Sequence, residues 1–189
     1  MIHCEVISKV GDLDRYLTIV YGFNTIEHMK VLWDNWRGAA VGIKKLWLVV
    51  GDFNAVMFQD DLLFGNPITY IEIKDYSKFK HEFLLTELQW RGDYYTWSNK
   101  QPGSDRIYSR LDMAFGNHEW MIAWGNLIME YYVPFISDHA PILLTLATSS
   151  SNVKVPFKFF NVWANHEEFL KIVEDVSQQC YTTVKMKNI

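Results

Sequence analysis

The run Leu46-Trp47-Leu48-Val49-Val50-Gly51-Asp52-Phe53-Asn54 constrains this chain more than any other stretch. Five bulky or β-branched apolar residues lead straight into a glycine and then two polar residues one position apart. A short continuous apolar run that ends in a turn signal predicts a strand buried on both faces. Residues two apart on a strand point the same way, so Asp52 and Asn54 are expected to share a face at its C-terminal end. Open α/β sheets place their ligands at that end. A carboxylate and an amide aimed at one point suit a phosphate ester. The carboxylate can hold a divalent cation or take a proton from water, and the amide can donate to a developing oxyanion. An Asx turn, in which both side chains only cap the strand end, stays open as the alternative.

The rest of the chain supplies partners for this strand. Ile2 to Ile7 and Tyr16 to Tyr21 flank Gly11-Asp12-Leu13-Asp14 and predict a hairpin. Met29, Leu32, Trp33 and Trp36 fall at helical spacing, with Gly38 as the expected stop. Residues 55–75 read as irregular, with Gly65-Asn66-Pro67 in a surface loop. Asp75 or Ser77 caps an expected helix reaching about Trp90, with Tyr76, Phe79, Phe83 and Trp90 on one side and Leu84, Leu85 and Leu88 on others. Strands are expected over Tyr94–Trp97 and Ile107–Phe115, joined as a hairpin through Pro102-Gly103. A short helix from Glu119 to Trp124 follows, then strands near Leu127–Val133 and, as a buried strand, Ile142–Leu146. The run Thr148-Ser149-Ser150-Ser151-Asn152 reads as a linker. A last helix is expected after it, with Asn165 and Glu168 as a capping box and Phe169, Ile172, Val173 and Val176 on one face.

Of the 189 residues, 49% are hydrophobic and 16% aromatic, which is the content of a chain with a packed core and not of a disordered one. The formal net charge of −4 argues against a nucleic-acid grip by broad phosphate neutralisation, so any such ligand is held locally or through a cation. Cys4 and Cys180 offer neither a disulfide framework nor a zinc spacing, as befits a reducing compartment. Lys44 and Lys45 interrupt the only apolar run approaching membrane length, and no signal peptide opens the chain, so an intracellular protein without a membrane partner is expected.

Four polar clusters stand at strand ends: Tyr21 with Asn24, Asp52 with Asn54, Asp112, and Asp138 with His139. Brought to one rim, they would support phosphodiester hydrolysis. A carboxylate-held His engages the phosphate, an Asp/Asn pair orients and activates water, and a further carboxylate binds Mg²⁺. Each has a plainer reading. Asp138 can cap a turn, His139 can be a satisfied structural residue, Asp112 can pair on the surface with Arg106 or Arg110, and Tyr21 can be a core tyrosine.

Gly51-Asp52-Phe53-Asn54, Ser109-Arg110-Leu111-Asp112 and Ser137-Asp138-His139-Ala140-Pro141 occur in the order used by the endonuclease/exonuclease/phosphatase (DNase I-like) superfamily. Tyr95-Thr96-Trp97-Ser98-Asn99, Val20-Tyr21-Gly22-Phe23-Asn24 and Phe157-Lys158-Phe159-Phe160-Asn161-Val162-Trp163 resemble the endonuclease domain of plant LINE-type retrotransposons. The resemblance covers nearly the whole chain. It implies an α+β fold that is part of a four-layer α/β sandwich, in which the first strands and helix of the domain are missing. Residues 1–147 would be the partial domain, 148–155 a linker, and 156–189 a helical segment leading toward a reverse transcriptase. By position, Asp52 matches the water-activating Asp and Asn54 its transition-state-stabilising neighbour. His139 matches the phosphate-engaging His and Asp112 its orienting partner. Asp138 matches a carboxylate at the metal, and Tyr21 and Asn24 match phosphate-contacting positions.

The implied function is that of a Mg²⁺-dependent hydrolase nicking DNA in the nucleus. The portion that carries the family's Asn and principal metal-binding Glu has no counterpart here, since neither Glu5 nor Glu27 stands in that context. Weakened Mg²⁺ binding, lost or impaired activity and association through an exposed apolar sheet edge are therefore expected. Two further readings stay open: a non-catalytic remnant binding nucleic acid or a protein partner, and a phosphoesterase acting on a non-DNA phosphodiester.

Overall fold

The computed structural model describes residues 1–7, 14–146, 164 and 168–181. The chain divides into two units, Met1–Val155 and Pro156–Ile189. The expected linker at 148–152, the segment Phe157–Trp163 and Asn165 of the capping box lie outside the described residues. In the second unit a helix, α4, runs over Phe169–Tyr181. Its Leu170, Ile172, Val173 and Val176 are exposed.

The first unit has mixed α+β architecture. Strands β1 (Ile2–Ile7) and β2 (Asp14–Tyr21) form an antiparallel hairpin pair. The chain then crosses through α1 (Ile26–Ala40) to β3 (Leu46–Asp52), which lies parallel to β2. A crossover helix is what a parallel pair requires, because a tight turn cannot reverse the chain twice. A two-residue strand β4 (Leu62–Leu63) follows, then α2 (Tyr70–Glu82), β5 (Thr86–Glu87), β6 (Gln89–Gly92) and β7 (Trp97–Ser98). The remaining elements are β8 (Tyr108–Ser109), β9 (Asp112–Gly116), α3 (His118–Trp124), β10 (Ile128–Tyr131) and β11 (Ile142–Leu144). They build a five-stranded sheet in the order β1-β2-β3-β9-β5 and two three-stranded sheets, β11-β10-β6 and β4-β8-β7.

The principal core is aromatic. Helix α1 contributes Trp33 and Trp36, α2 contributes Tyr76 and Phe79, and the sheet answers with Phe53 and Phe115. Trp36 stacks on Phe79 with ring centroids 4.3 Å apart, and Phe53 meets Tyr76 at 5.4 Å and Phe115 edge-on at 5.3 Å. Each such pair adds about 0.5–1.5 kcal/mol beyond the area it buries. Phe53 is therefore clamped, and it carries its neighbours Asp52 and Asn54 into fixed places.

Several expectations need correction. Helix α1 does not stop at Gly38 but continues to Ala40. Gly38 sits on the exposed face, where its cost of about 1 kcal/mol is offset by burying Ala40 one residue-pair further on. Helix α2 begins at Tyr70, earlier than Asp75 or Ser77, and ends at Glu82 instead of near Trp90. Leu84 takes a left-handed backbone (φ 49°), and Thr86–Glu87 is captured as β5 against Gly116 and Phe115. No Gly or Pro between His81 and Gln89 marks that stop, so pairing with the sheet edge overrides helical spacing. Leu85 and Leu88 are buried, but beyond the helix, and Trp90 lies on β6.

The expected strand Ile107–Phe115 is broken at Arg110-Leu111, β8 and β9 belonging to different sheets. The expected strand Tyr94–Trp97 reduces to β7, which does pair antiparallel with β8. Nor is β11 a buried strand. Among the described residues it ends its sheet, paired to β10 alone, and Leu143 is 46% exposed.

Arg110 sits at the sheet change and is itself buried. It pairs with Glu87, its Nη1 lies 4.0 Å from Asp61 Oδ1, and its guanidinium covers the rings of Trp90 (4.8 Å) and Tyr94 (5.2 Å). It is not a surface partner of Asp112.

Two substitutions test this framework. Gly51 has φ 140°, and a Cβ there would stand 2.2 Å from the Val20 carbonyl oxygen. Gly51→Ala is expected to cost about 3 kcal/mol or more in urea unfolding. Arg110→Met, which strands the buried Asp61 and the half-buried Glu87 without their cation, is expected to cost about 3 kcal/mol in the same measurement.

Candidate active site

Strands β3 and β9 run antiparallel with Asp52 directly opposite Asp112. Both carboxylates are buried. Like charges facing each other across two strands repel, more so away from water, unless something intervenes. His139 does. Its Nδ1 donates to Asp112 Oδ2 at 2.9 Å, and its Nε2 lies 3.9 Å from Asp52 Oδ2. The three side chains form one group whose ligand-type atoms all fall within 4.8 Å of one another.

The ionisation of each member follows from this placement. Burial raises the Asp52 pKa, and repulsion from Asp112 and Asp138 adds to it, against the Asn54 amide and the imidazole. Burial alone would lower the pKa of His139. The hydrogen bond to Asp112 and the charges of Asp112, Asp52 and Asp138 outweigh it, so the imidazole stands above its ordinary 6.5. The site thus favours a base that is harder to deprotonate than a free Asp and an imidazolium that is easier to keep.

Asn54 lies beyond the end of β3, where strand alternation no longer applies. Its backbone is left-handed (φ 46°) and its N–H donates to Asp52 Oδ1 at 2.8 Å. The Asx turn weighed against a functional pair is therefore present, and it leaves the side chain free to act elsewhere. Asn54 Nδ2 donates to Asn24 Oδ1 at 2.6 Å and reaches the Gly22 carbonyl at 3.4 Å. Gly22 makes this possible. Its N–H donates to the Asp52 carbonyl at 2.7 Å, and a Cβ would stand 2.2 Å from the Phe53 oxygen. The loops after β2 and β3 are thus stitched together on the rim that holds Asp52.

Tyr21 ends β2 in register with Asp52 and is 70% exposed, so it is not a core tyrosine. Asp138 stands outside the three-residue group. It is exposed, accepts from Trp97 Nε1 at 3.2 Å, and is held below the usual carboxylate range chiefly by that bond.

Sequence reasoning missed the segment that joins Asp112 to His139. Thr96 is fully buried, and its Oγ1 accepts from the backbone N–H of Leu111 and of Asp112, each at 3.0 Å. Its carbonyl accepts from Ala140 N at 2.7 Å. The signal in the sequence was its place within Tyr95-Thr96-Trp97-Ser98-Asn99, where the threonine was given no role of its own.

Mg²⁺ prefers oxygen ligands in octahedral array and is commonly held by one or two carboxylates plus substrate phosphate. One Asp112 oxygen is engaged by His139, and an imidazole is a poor partner for so hard an ion. The clustered oxygen donors are those of Asp52 and Asp112, and Asp138 is not among them.

No family model and no curated protein matches this chain. Among solved structures, a beta toxin structure from Staphylococcus aureus is similar with a TM-score of 0.46 and 15% identity, over 76% of this chain and 55% of that one. The chain thus spans little more than half the length of that structure.

A raised folded-state pKa makes His139 stabilising below its ordinary 6.5, with that contribution lost as pH climbs through the folded value. The stability difference between the parent and His139→Gln is therefore expected to shrink as pH rises from about 6 to about 8. In an NMR titration, Asp112→Asn is expected to bring the imidazole pKa down.

Proposed function

We propose that the chain is a piece of a LINE-type retrotransposon endonuclease, in a DNase I-like α/β sandwich, whose site hydrolyses phosphodiesters and nicks DNA. The observation that carries this reading is the Asp112–His139–Asp52 arrangement, with Asn24 and Asn54 on the same rim. In the proposed reaction the His139 imidazolium, oriented by Asp112, donates through Nε2 to a phosphate oxygen. Asp52 takes a proton from the attacking water as its oxygen bonds to phosphorus. The bond from phosphorus to the leaving ester oxygen breaks, and that oxygen takes up a proton from solvent water. Asn54 and Asn24 donate amide hydrogens to the phosphate as negative charge builds, and Tyr21 adds its hydroxyl at the open side. Asp138, with the phosphate, would hold Mg²⁺, which would supply charge neutralisation there.

A second reading, a non-catalytic module that binds nucleic acid or a protein, is favoured by one feature. Phe135 and Ile136, just before Asp138, are 93% and 98% exposed. Apolar side chains so placed suit contact with bases or with an apolar partner.

Plasmid nicking with Mg²⁺ separates the two. On the hydrolytic reading, His139→Ala and Asp52→Asn each lower the rate on the order of 10³-fold, and chelation abolishes it. Equal rates for parent and both variants overturn that reading, and an inert parent that still retains DNA in a binding assay favours the second.

A further inference from the structure

Asp112 and His139 come from different parts of the fold. Asp112 opens β9 of the five-stranded sheet, whereas His139 precedes β11 of the β11-β10-β6 sheet. A hydrogen bond of 2.9 Å between them needs something that holds the two segments in register. The stretch Thr96–Ser98 bonds the backbone of both at Leu111–Asp112 and at Asp138–Ala140. Thr96 Oγ1 accepts from Leu111 N and Asp112 N, and the Thr96 N–H donates to the Ser109 carbonyl at 3.0 Å. On the other side the Thr96 carbonyl accepts from Ala140 N at 2.7 Å. The next residues continue the clasp. Trp97 and His139 form an isolated antiparallel bridge, and the Ser98 N–H donates to the Asp138 carbonyl at 3.1 Å.

We infer that Thr96 is a positioning residue, whose hydroxyl and carbonyl together set the distance between Asp112 and His139. The chemistry explains the residue type. The backbone N–H groups of Leu111 and Asp112 leave ordinary strand pairing where the chain changes sheets. An acceptor must meet both in a fully buried place. A hydroxyl oxygen has two lone pairs and can accept both bonds. Valine has the same shape and no acceptor, so it would leave two buried donors unpaired. The Leu111–Asp112 backbone would then shift toward other partners and carry the carboxylate away from the imidazole. Alanine would open space that a water could fill, and serine would keep the oxygen.

Tyr131 supports the same strand from the far side, its hydroxyl donating to the Asp112 carbonyl at 2.8 Å. Its strand also pairs with β11 at Ile142, and the Tyr132 N–H donates to the Pro141 carbonyl at 3.0 Å, so β10 is a second tie, which meets the chain two or three residues beyond His139 instead of at Asp138–Ala140.

The test compares Thr96→Val and Thr96→Ser with the parent in two measurements. The first is the downfield proton signal of the His139 Nδ1–H, a signature of its bond to a carboxylate that bulk stability does not move. The second is nicking kinetics. Thr96→Val is expected to lose that signal while remaining folded by circular dichroism, and to lower kcat on the order of 10²-fold, the scale of a misplaced reacting group, with KM little changed. Thr96→Ser is expected to restore both. A folded Thr96→Val that keeps the signal overturns the inference, as does a Thr96→Ser that loses it. Should Thr96→Val fail to fold, Thr96→Cys decides, since the thiol is a similar size and a weak acceptor. A weakened, shifted signal supports the inference, and an unchanged one overturns it. Only the kinetic arm rests on the hydrolytic reading. If the parent is inert yet the signal follows the hydroxyl, the positioning role stands and the hydrolytic reading falls.

Discussion

Two buried carboxylates placed face to face across β3 and β9 are an electrostatic liability, and the surrounding structure answers it. Repulsion between Asp52 and Asp112 is relieved by one imidazole bonded to Asp112 and close to Asp52, and by the Asn54 amide on the far oxygen of Asp52. Left uncompensated, such a pair would draw a proton or push the strands apart. The compensation comes from a segment outside that sheet. The fold of the first unit is therefore bound up with the chemistry of the site, because the segment carrying His139 must be held against β9.

Rigidity reaches the site from the aromatic core. Phe53 lies between two polar residues and is clamped by rings from α1, α2 and β9, so the turn that follows β3 has little freedom. Close backbone approach does the rest. Gly51 and Gly22 let β2 and the loop after it lie against the Asp52–Asn54 turn at distances no side chain would permit. Asn24 can then reach Asn54 across the gap between two loops. A buried Arg110, paired with Glu87 and Asp61 and covered by Trp90 and Tyr94, fastens the point where the chain leaves one sheet for another, two residues before Asp112.

Much of this was legible in the residues. The buried strand Leu46–Val50, the α1 face of Met29, Leu32, Trp33 and Trp36, and the polar clusters at strand ends all follow from periodicity, which a chain cannot hide. The end of α2 was not legible, because the residues from Phe83 to Leu88 suit a helix as well as a strand. Only the edge of β9 decides between them. The path of residues 107–115 was hidden for a similar reason: no side chain announces that Arg110 and Leu111 turn from one sheet to the next. Burial of the Arg110 charge was equally invisible, since its partners lie 23 and 49 positions away in the chain.

The sequence by itself determined which side chains were available for chemistry and that Asp52 would end a buried strand, because local alternation and turn residues act within a few positions. It could not determine that Asn54 reaches Asn24, that Asp112 faces Asp52, or that Thr96 ties Asp112 to the segment of His139. Those are relations between strands far apart in the chain, and the tertiary structure decided them. Buried charges and buried backbone donors must find partners wherever packing puts them, and packing answers to the whole core.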